Sequence, residues 1–233
     1  MTFKPFERMW ERVDIARDDS DANLFNTLMY MGEMLTKVVA TGLVSAIGDD
    51  RDRQRYRQLY QLVRADGIGD WSRIIDETLT GVPAQYLLVQ AREEQNELNQ
   101  RFDAGTWQYE SVARISNCLK ILEPNFEKLS QKVQARQWFS IFAHLRNKTR
   151  GHGAIPSELY NKLCPDLENS IYLFIDNHRL FKRPWAYLYQ SLSGKYRVTN
   201  WTENTQSLEF LKRRLGYPVN KTNGIYIHFD ETQ

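Results

Sequence analysis

The sequence predicts a mainly α-helical protein, a helical bundle followed by a small C-terminal β appendage. Two observations carry this prediction. From about residue 23 to residue 181, apolar side chains recur every three or four positions, which is the period of an amphipathic helix. After Pro184 the pattern changes to short runs of aromatic and β-branched residues, which favour strands. We therefore predict a helical domain over residues 1–182 and a β-rich segment over residues 183–233.

Seven segments of the first domain have the helical period. They cover residues 23–47, 50–66, 71–79, 84–103, 106–122, 128–150 and 158–181. The separators are residues that end or begin helices, namely Gly48, the glycine-rich turn at 66–70, Pro124 and Pro156-Ser157. The segment before the first helix, residues 1–22, is predicted to be a polar lead-in, with Asp21 or Asn23 as the N-cap of that helix.

The helix predicted over residues 50–66 has two contrasting faces. Its arginines are expected on a solvated face. The opposite, apolar face holds Tyr56, Leu59, Tyr60 and Val63.

Three strands are predicted in the C-terminal segment. Residues 185–189 and 196–201 flank Ser193-Gly194, a pair typical of a hairpin turn, and residues 225–229 form the third candidate. The chain stops almost directly after this last strand. We therefore expect the β-rich segment to be the start of a further domain, or the contact surface of a regulatory partner.

The composition excludes several classes of protein. The 233 residues are 42% hydrophobic and 26% charged, which is typical of a folded domain. The two cysteines form neither a disulfide framework nor the paired spacing of a zinc site, and we expect reduced thiols in a cytoplasmic protein. The N-terminus has no signal-peptide core, and Glu33 and Lys37 interrupt the most apolar stretch. No catalytic metal, cofactor or membrane contact is predicted.

The charge is balanced overall but segregated along the chain. Lys and Arg total 31 and Asp and Glu total 29, a net charge of +2. Residues 128–157 nevertheless contain six of the basic residues and no acidic residue. These six are Lys128, Lys132, Arg136, Arg146, Lys148 and Arg150. A local excess of positive charge is expected to attract a polyanion such as RNA.

Two residues within this segment suggest a chemical site. Arg146 lies beside the buried stripe of the helix predicted over residues 128–150, and His152 follows it after five residues. In a continuous helix, His152 would lie about 9 Å further along the axis. Gly151 is expected to end the helix and turn the chain back, because glycine readily adopts the left-handed conformation there. The imidazole would then lie near the guanidinium of Arg146.

The stretch from Arg146 through Asn147 to His152 resembles the Arg-x(4–6)-His motif of HEPN-domain ribonucleases. In that family the motif ends one helix of a helical bundle, just before the final long helix, and the same order is predicted here. The resemblance extends over about residues 22–182, but the motif itself is short. It implies an HEPN-like domain that cleaves RNA without a metal, as a toxin or in antiviral defence. It also implies a homodimer in which two facing motifs form one composite site.

The residue types suit this chemistry. Histidine titrates near neutral pH and can act as general acid or base, so His152 is assigned that role. Arginine stays charged and can hold two phosphate oxygens, so Arg146 is assigned as the phosphate clamp. Asn147 is assigned as an orienting hydrogen-bond partner. Three further residues are assigned to RNA binding, namely Lys148, Arg150 and His144.

Other interpretations remain open from the sequence alone. Arg146 could be a helix cap or part of a surface ion pair, and His152 could be a turn residue. His144 lies off the apolar stripe and is also typical of a surface histidine. The alternative function is a non-catalytic HEPN-like module that dimerises or senses a ligand within a larger signalling or defence protein.

Overall fold

The computed structural model describes residues 3–48, 52–150, 156–193, 196–202 and 223–229. As the sequence predicts, the chain is mainly helical, with a small antiparallel sheet near the C-terminus. The helices in the described residues are α1 (Lys4–Asp19), α2 (Asp21–Ser45), α3 (Gln54–Arg64), α4 (Ile68–Thr80), α5 (Arg92–Asn99), α6 (Trp107–Leu122), α7 (Gln137–Arg150) and α8 (Ser157–Asn177). The strands are β1 (Trp185–Gln190), β2 (Tyr196–Asn200) and β3 (Gly224–Ile227).

Helix α2 is the centre of the bundle. It contacts α1, α4 and α8 along its length, and α3 and α7 more locally. Apolar side chains such as Leu28 and Leu35 are completely buried along it. The predicted helix at 23–47 is confirmed, although it ends at Ser45 rather than at Gly48.

The prediction of a polar lead-in over residues 1–22 is wrong. Residues of this segment form α1, which buries Phe6, Val13 and Ala16 against the core. Ser20 separates α1 from α2 and caps α2, since its hydroxyl accepts a hydrogen bond from the backbone N–H of Asn23. The segment is predicted to be polar because it ends in the acidic run Asp18-Asp19-Ser20-Asp21 and has few apolar residues, although these have helical spacing.

Two predicted helices are shorter than the sequence suggests. Residues 84–103 begin with 3₁₀ turns, because Leu87 pairs with Ile47 in an isolated β-bridge, and α5 starts only at Arg92. Residues 128–136 are also not helical, because Val133 pairs with Phe102 in a second β-bridge. Lys128, Lys132 and Arg136 therefore precede α7 in an irregular segment. In both segments, backbone pairing with a residue distant in the sequence takes the place of part of the predicted helix.

Helix α3 has the reverse of the expected orientation. Its two fully buried residues are Gln54 and Gln58, which face the bundle. The apolar residues predicted to share one face do so, but that face is exposed to solvent. They are Tyr56, Leu59, Tyr60 and Val63.

Helices α7 and α8 meet through a buried aromatic cluster. Trp138 of α7 stacks on Phe142, with ring centroids 5.0 Å apart, and its indole N–H donates to Ser170 Oγ of α8 at 2.7 Å. The Ser170 hydroxyl in turn donates to the backbone oxygen of Ser111 on α6 at 2.7 Å. This chain of hydrogen bonds fixes the rotation of α7, and therefore decides which residues of its last turn face outward.

The sheet has the strand order β2-β1-β3 and is entirely antiparallel. The predicted pairing of residues 185–189 with 196–201 is confirmed, since Leu188 lies opposite Val198. The sheet also contacts the beginning of the chain, because Phe3 forms a bridge with Thr202 and packs its ring on Trp185. No helix in the described part of the chain is long and apolar enough to cross a membrane.

Candidate functional site

The predicted site lies at the last turn of α7. Its geometry starts one turn earlier, where the ring of Phe142 lies against Gly32 of α2 so closely that a methyl group there would overlap it. This contact brings the two helices together, and Glu33 comes beside Arg146. Arg146 Nε donates to Glu33 Oε1 at 3.3 Å, and the Arg146 side chain remains 34% exposed.

The ion pair uses only one edge of the guanidinium. Within the described residues, the two terminal amino groups of Arg146 have no hydrogen-bond partner. Because Glu33 holds the Nε side, these groups form the free end of an oriented fork, the geometry that binds phosphate oxygens.

A second carboxylate binds the other basic groups of this turn. Glu123, the C-cap residue of α6, accepts from His144 Nε2 at 3.1 Å and also pairs with Lys148. The hydrogen bond from Lys148, followed by that from His144, lowers the pKa of Glu123 despite an opposing effect of desolvation. His144 and Lys148 therefore form one cluster with Glu123, separate from the contact between Arg146 and Glu33.

The basic segment is acid-free in sequence but not in space. Four of its lysines and arginines form salt bridges with carboxylates from other parts of the chain. These are Lys132 with Asp103, Arg136 with Asp76, Arg146 with Glu33 and Lys148 with Glu123. The expected strong local excess of positive charge is therefore largely neutralised.

Of the remaining predicted site residues, the structure describes the side chain of Asn147 only. Asn147 is exposed on the last turn of α7, directly after Arg146. His152 and the side chain of Arg150 lie outside what the structure describes. Helix α7 ends at Arg150 and helix α8 begins at Ser157.

A further polar cluster surrounds His178 and was not predicted from the sequence. This histidine is completely buried, and its Nδ1 lies 2.8 Å from Glu97 Oε2. Rings of Trp107, Phe174 and Phe181 surround it. Glu97 also accepts from the backbone N–H of Arg179 at 3.0 Å.

Glu97 is held in its charged form by these partners. Desolvation alone would raise its pKa, but the hydrogen bond and charge of His178, together with Arg179, lower the pKa below its ordinary value. The carboxylate lies in a cleft of about 730 Å³ between α5 and the residues after α8.

Most of the charges in this cleft are already paired. Arg183 donates from Nε to the buried Glu94 at 2.6 Å, and Arg179 pairs with Glu93. These contacts join α5 to the turn that leads into β1. The cleft is therefore a structural junction in which most charges are paired, and no sequence motif could have revealed it because its partners are 81 or more residues apart.

The described residues include no group of three or more side chains of the kind that bind a metal ion. Both cysteines are buried free thiols. Desolvation raises the pKa of Cys118, and it raises that of Cys164 to about 12. Neither thiol is thus disposed to act as a nucleophile near neutral pH.

Comparisons with known proteins give no further indication of function. No family model, no curated protein and no solved structure matches the chain.

Proposed function

We propose that the protein is a metal-independent endoribonuclease of the HEPN type, acting in the cytoplasm as a toxin or in antiviral defence. The observation that supports this most directly is the placement of Arg146. Its guanidinium is anchored through Nε by Glu33, and its terminal amino groups have no hydrogen-bond partner among the described residues. It lies in the last turn of α7, six positions before His152 in the sequence.

The proposed reaction uses the RNA's own 2′-hydroxyl. His152 removes the 2′-OH proton, the oxygen attacks the adjacent phosphorus, and the bond from phosphorus to the 5′ oxygen breaks. A second histidine, from the same motif of a partner copy, protonates the leaving oxygen. The products are a 2′,3′-cyclic phosphate and a 5′-hydroxyl. No metal or cofactor takes part.

The other residues have supporting roles in this proposal. Arg146 holds the phosphate oxygens as negative charge accumulates on them. Asn147 orients the attacking group or the histidine by a hydrogen bond. Lys148, Arg150 and His144 add contacts to the RNA backbone. Because Lys148 and His144 pair with Glu123, they would have to exchange that carboxylate for phosphate when RNA binds.

The test is an RNA-degradation assay with EDTA present. We expect the wild type to cleave, and Arg146→Ala and His152→Ala each to lose about 10²–10³-fold in rate. Arg12→Ala is the matched control, because Arg12 is exposed on α1, and it should cleave at the wild-type rate. Equal residual cleavage by all four preparations would indicate a contaminant and contradict the proposal.

A second candidate function is a non-catalytic HEPN-like module that dimerises or senses a ligand. The neutralisation of the basic segment by Asp103, Asp76, Glu33 and Glu123 favours it, since a paired surface attracts RNA less strongly. A dimer in light scattering that never cleaves RNA, whether or not Arg146 is replaced, would support this alternative over the nuclease.

A further inference from the structure

The surface of α3 is rich in positive charge. Four arginines lie along it, and no acidic residue occurs between the first and the last. They are Arg53, Arg55, Arg57 and Arg64, and all four are exposed. Within the described residues none of them forms a salt bridge, whereas the basic residues before and within α7 are mostly paired.

The same surface has exposed aromatic and apolar side chains. Tyr56 is 65% exposed, Tyr60 51% and Val63 86%. Tyr56 and Tyr60 lie one helical turn apart, so both rings emerge on one side of α3. Arg64 covers Tyr60, with its guanidinium carbon 5.4 Å from the ring centroid, and donates to the phenol oxygen at 3.0 Å.

The buried face of α3 explains why this apolar side points outward. Gln54 and Gln58 face the bundle, on the side opposite the tyrosines at about 100° per residue. Burying glutamines while exposing tyrosine, leucine and valine is the reverse of the usual amphipathic pattern. This helix therefore exposes apolar side chains at its surface instead of burying them in the bundle.

The charge of the surface restricts what that ligand can be. A second copy of α3 would bring arginines against arginines, which is unfavourable. A negatively charged ligand with flat apolar groups fits both features, because arginines bind its charges and aromatic rings stack on its flat groups. Single-stranded nucleic acid has this chemistry in every nucleotide.

A concave region continues the surface. Arg55 lines a groove of about 620 Å³, together with Ser45, Leu88 and residues 225–229 of the β3 segment. Tyr226 and Phe229 belong to this lining, so the groove offers aromatic and apolar contacts directly beside Arg55, which forms no salt bridge within the described residues.

We propose that the exposed face of α3, with the adjoining groove, is a binding surface for single-stranded RNA. The choice of RNA over DNA rests on the proposed ribonuclease function, but binding at α3 does not require cleavage. The arginines contact phosphates, and Tyr56 and Tyr60 stack on bases. This surface lies on a different helix from Arg146, and within the described residues its arginines form no salt bridge, unlike most basic residues before and within α7.

The experiment measures fluorescence anisotropy with a labelled 2′-O-methyl oligouridylate. This probe keeps the phosphates and bases of RNA but has no free 2′-OH, so binding is measured whether or not the protein is a nuclease. The variants are Arg57→Gln/Arg64→Gln and Tyr56→Ala/Tyr60→Ala. The matched control is Arg8→Gln/Arg12→Gln, which removes the same charge from exposed positions one turn apart on α1.

We expect the wild type and the α1 control to bind alike, and each α3 variant to bind about tenfold or more weakly. Removing two phosphate contacts should also reduce the slope of log K against log salt by about 1.4. Circular dichroism melting checks that the exposed substitutions leave the fold intact.

Three results would overturn the proposal. The first is no binding by the wild type, and the second is an equal loss of affinity in the α1 control. The third is tighter binding of the wild type to a different ligand. That ligand would be either oligodeoxyuridylate of the same length or phosphatidylserine-containing vesicles to which the α3 variants no longer bind. A wild-type protein that binds the probe but does not cleave RNA would contradict only the nuclease.

Discussion

At the scale of single residues, α2 and α7 approach each other closely where Gly32 meets the ring of Phe142. A Cβ at position 32 would overlap the ring, and the ring is itself stacked on Trp138 and cannot easily move. This contact also decides that Glu33 reaches Arg146. The absence of a side chain at Gly32 therefore allows the close packing that brings Glu33 to Arg146.

Gly32→Ala is expected to destabilise the protein by about 1–3 kcal/mol, because the extra methyl group forces the packed helices apart. Urea unfolding measures this free energy. Gly69→Ala is the matched control, since Gly69 is also helical but has open space around its Cβ position, and it should stabilise by about 0.5–1 kcal/mol. Equal effects of the two substitutions would contradict the argument.

The residue scale also shows what the sequence could reveal of the site. The spacing of Arg146, Asn147 and His152 is local, so it could be recognised directly. Glu33 could not be predicted as the partner of Arg146, because the two are 113 residues apart and only the packing of α2 on α7 brings them together. For the same reason the sequence could not show that the basic segment is neutralised.

At the scale of elements, Glu97 of α5 joins that helix to the end of α8. His178 is completely buried, and its contact with Glu97 is a charge-assisted hydrogen bond if either partner is ionised. Because the pKa of Glu97 is lowered in the folded state, its charged form stabilises the fold. That contribution is present above the ordinary pKa of 4.5 and is lost as pH falls through the lowered value.

Glu97→Gln is therefore expected to lower the free energy of unfolding at neutral pH by about 1.5–3 kcal/mol. The difference from the wild type should shrink as the pH falls below the ordinary pKa of 4.5 and through the lowered pKa of the folded protein, where the wild-type carboxylate becomes protonated. Urea unfolding at a series of pH values measures it. Glu93→Gln, which removes an exposed partner of Arg179, should change little at any pH. A difference independent of pH would show that Glu97 does not act through its charge.

Elements also show where periodicity is a sufficient guide and where it is not. It locates α2, α6 and the hairpin well, because their buried faces follow the helix or strand period. For α3 it finds the helix and the face shared by Tyr56 and Val63, but it predicts the wrong face to be buried. The period shows which residues share a face, but not whether that face meets the core, solvent or a ligand.

At the scale of the whole molecule, the sequence divides at residue 182, whereas the structure has extensive packing across that point. Phe3 at the N-terminus packs on Phe181, Trp185 and Trp201, with ring centroids 5.3 to 6.0 Å apart. Its backbone also pairs with Thr202. Because of these contacts, we expect α1 and the sheet to unfold together.

Phe3→Ala should accordingly lower the free energy of unfolding by about 3–5 kcal/mol, because a completely buried ring is lost from the junction. If α1 and the sheet are joined, far-UV circular dichroism and tryptophan fluorescence, to which Trp185 and Trp201 contribute two of the six tryptophans, should fall in one coincident transition at a lower temperature. Ile15→Ala is the control, since Ile15 is exposed on the same helix, and its effect should stay within about 0.5 kcal/mol. Early loss of part of the tryptophan signal with the helical signal unchanged would instead mean that the sheet unfolds independently, and Phe3 would then stabilise only the sheet.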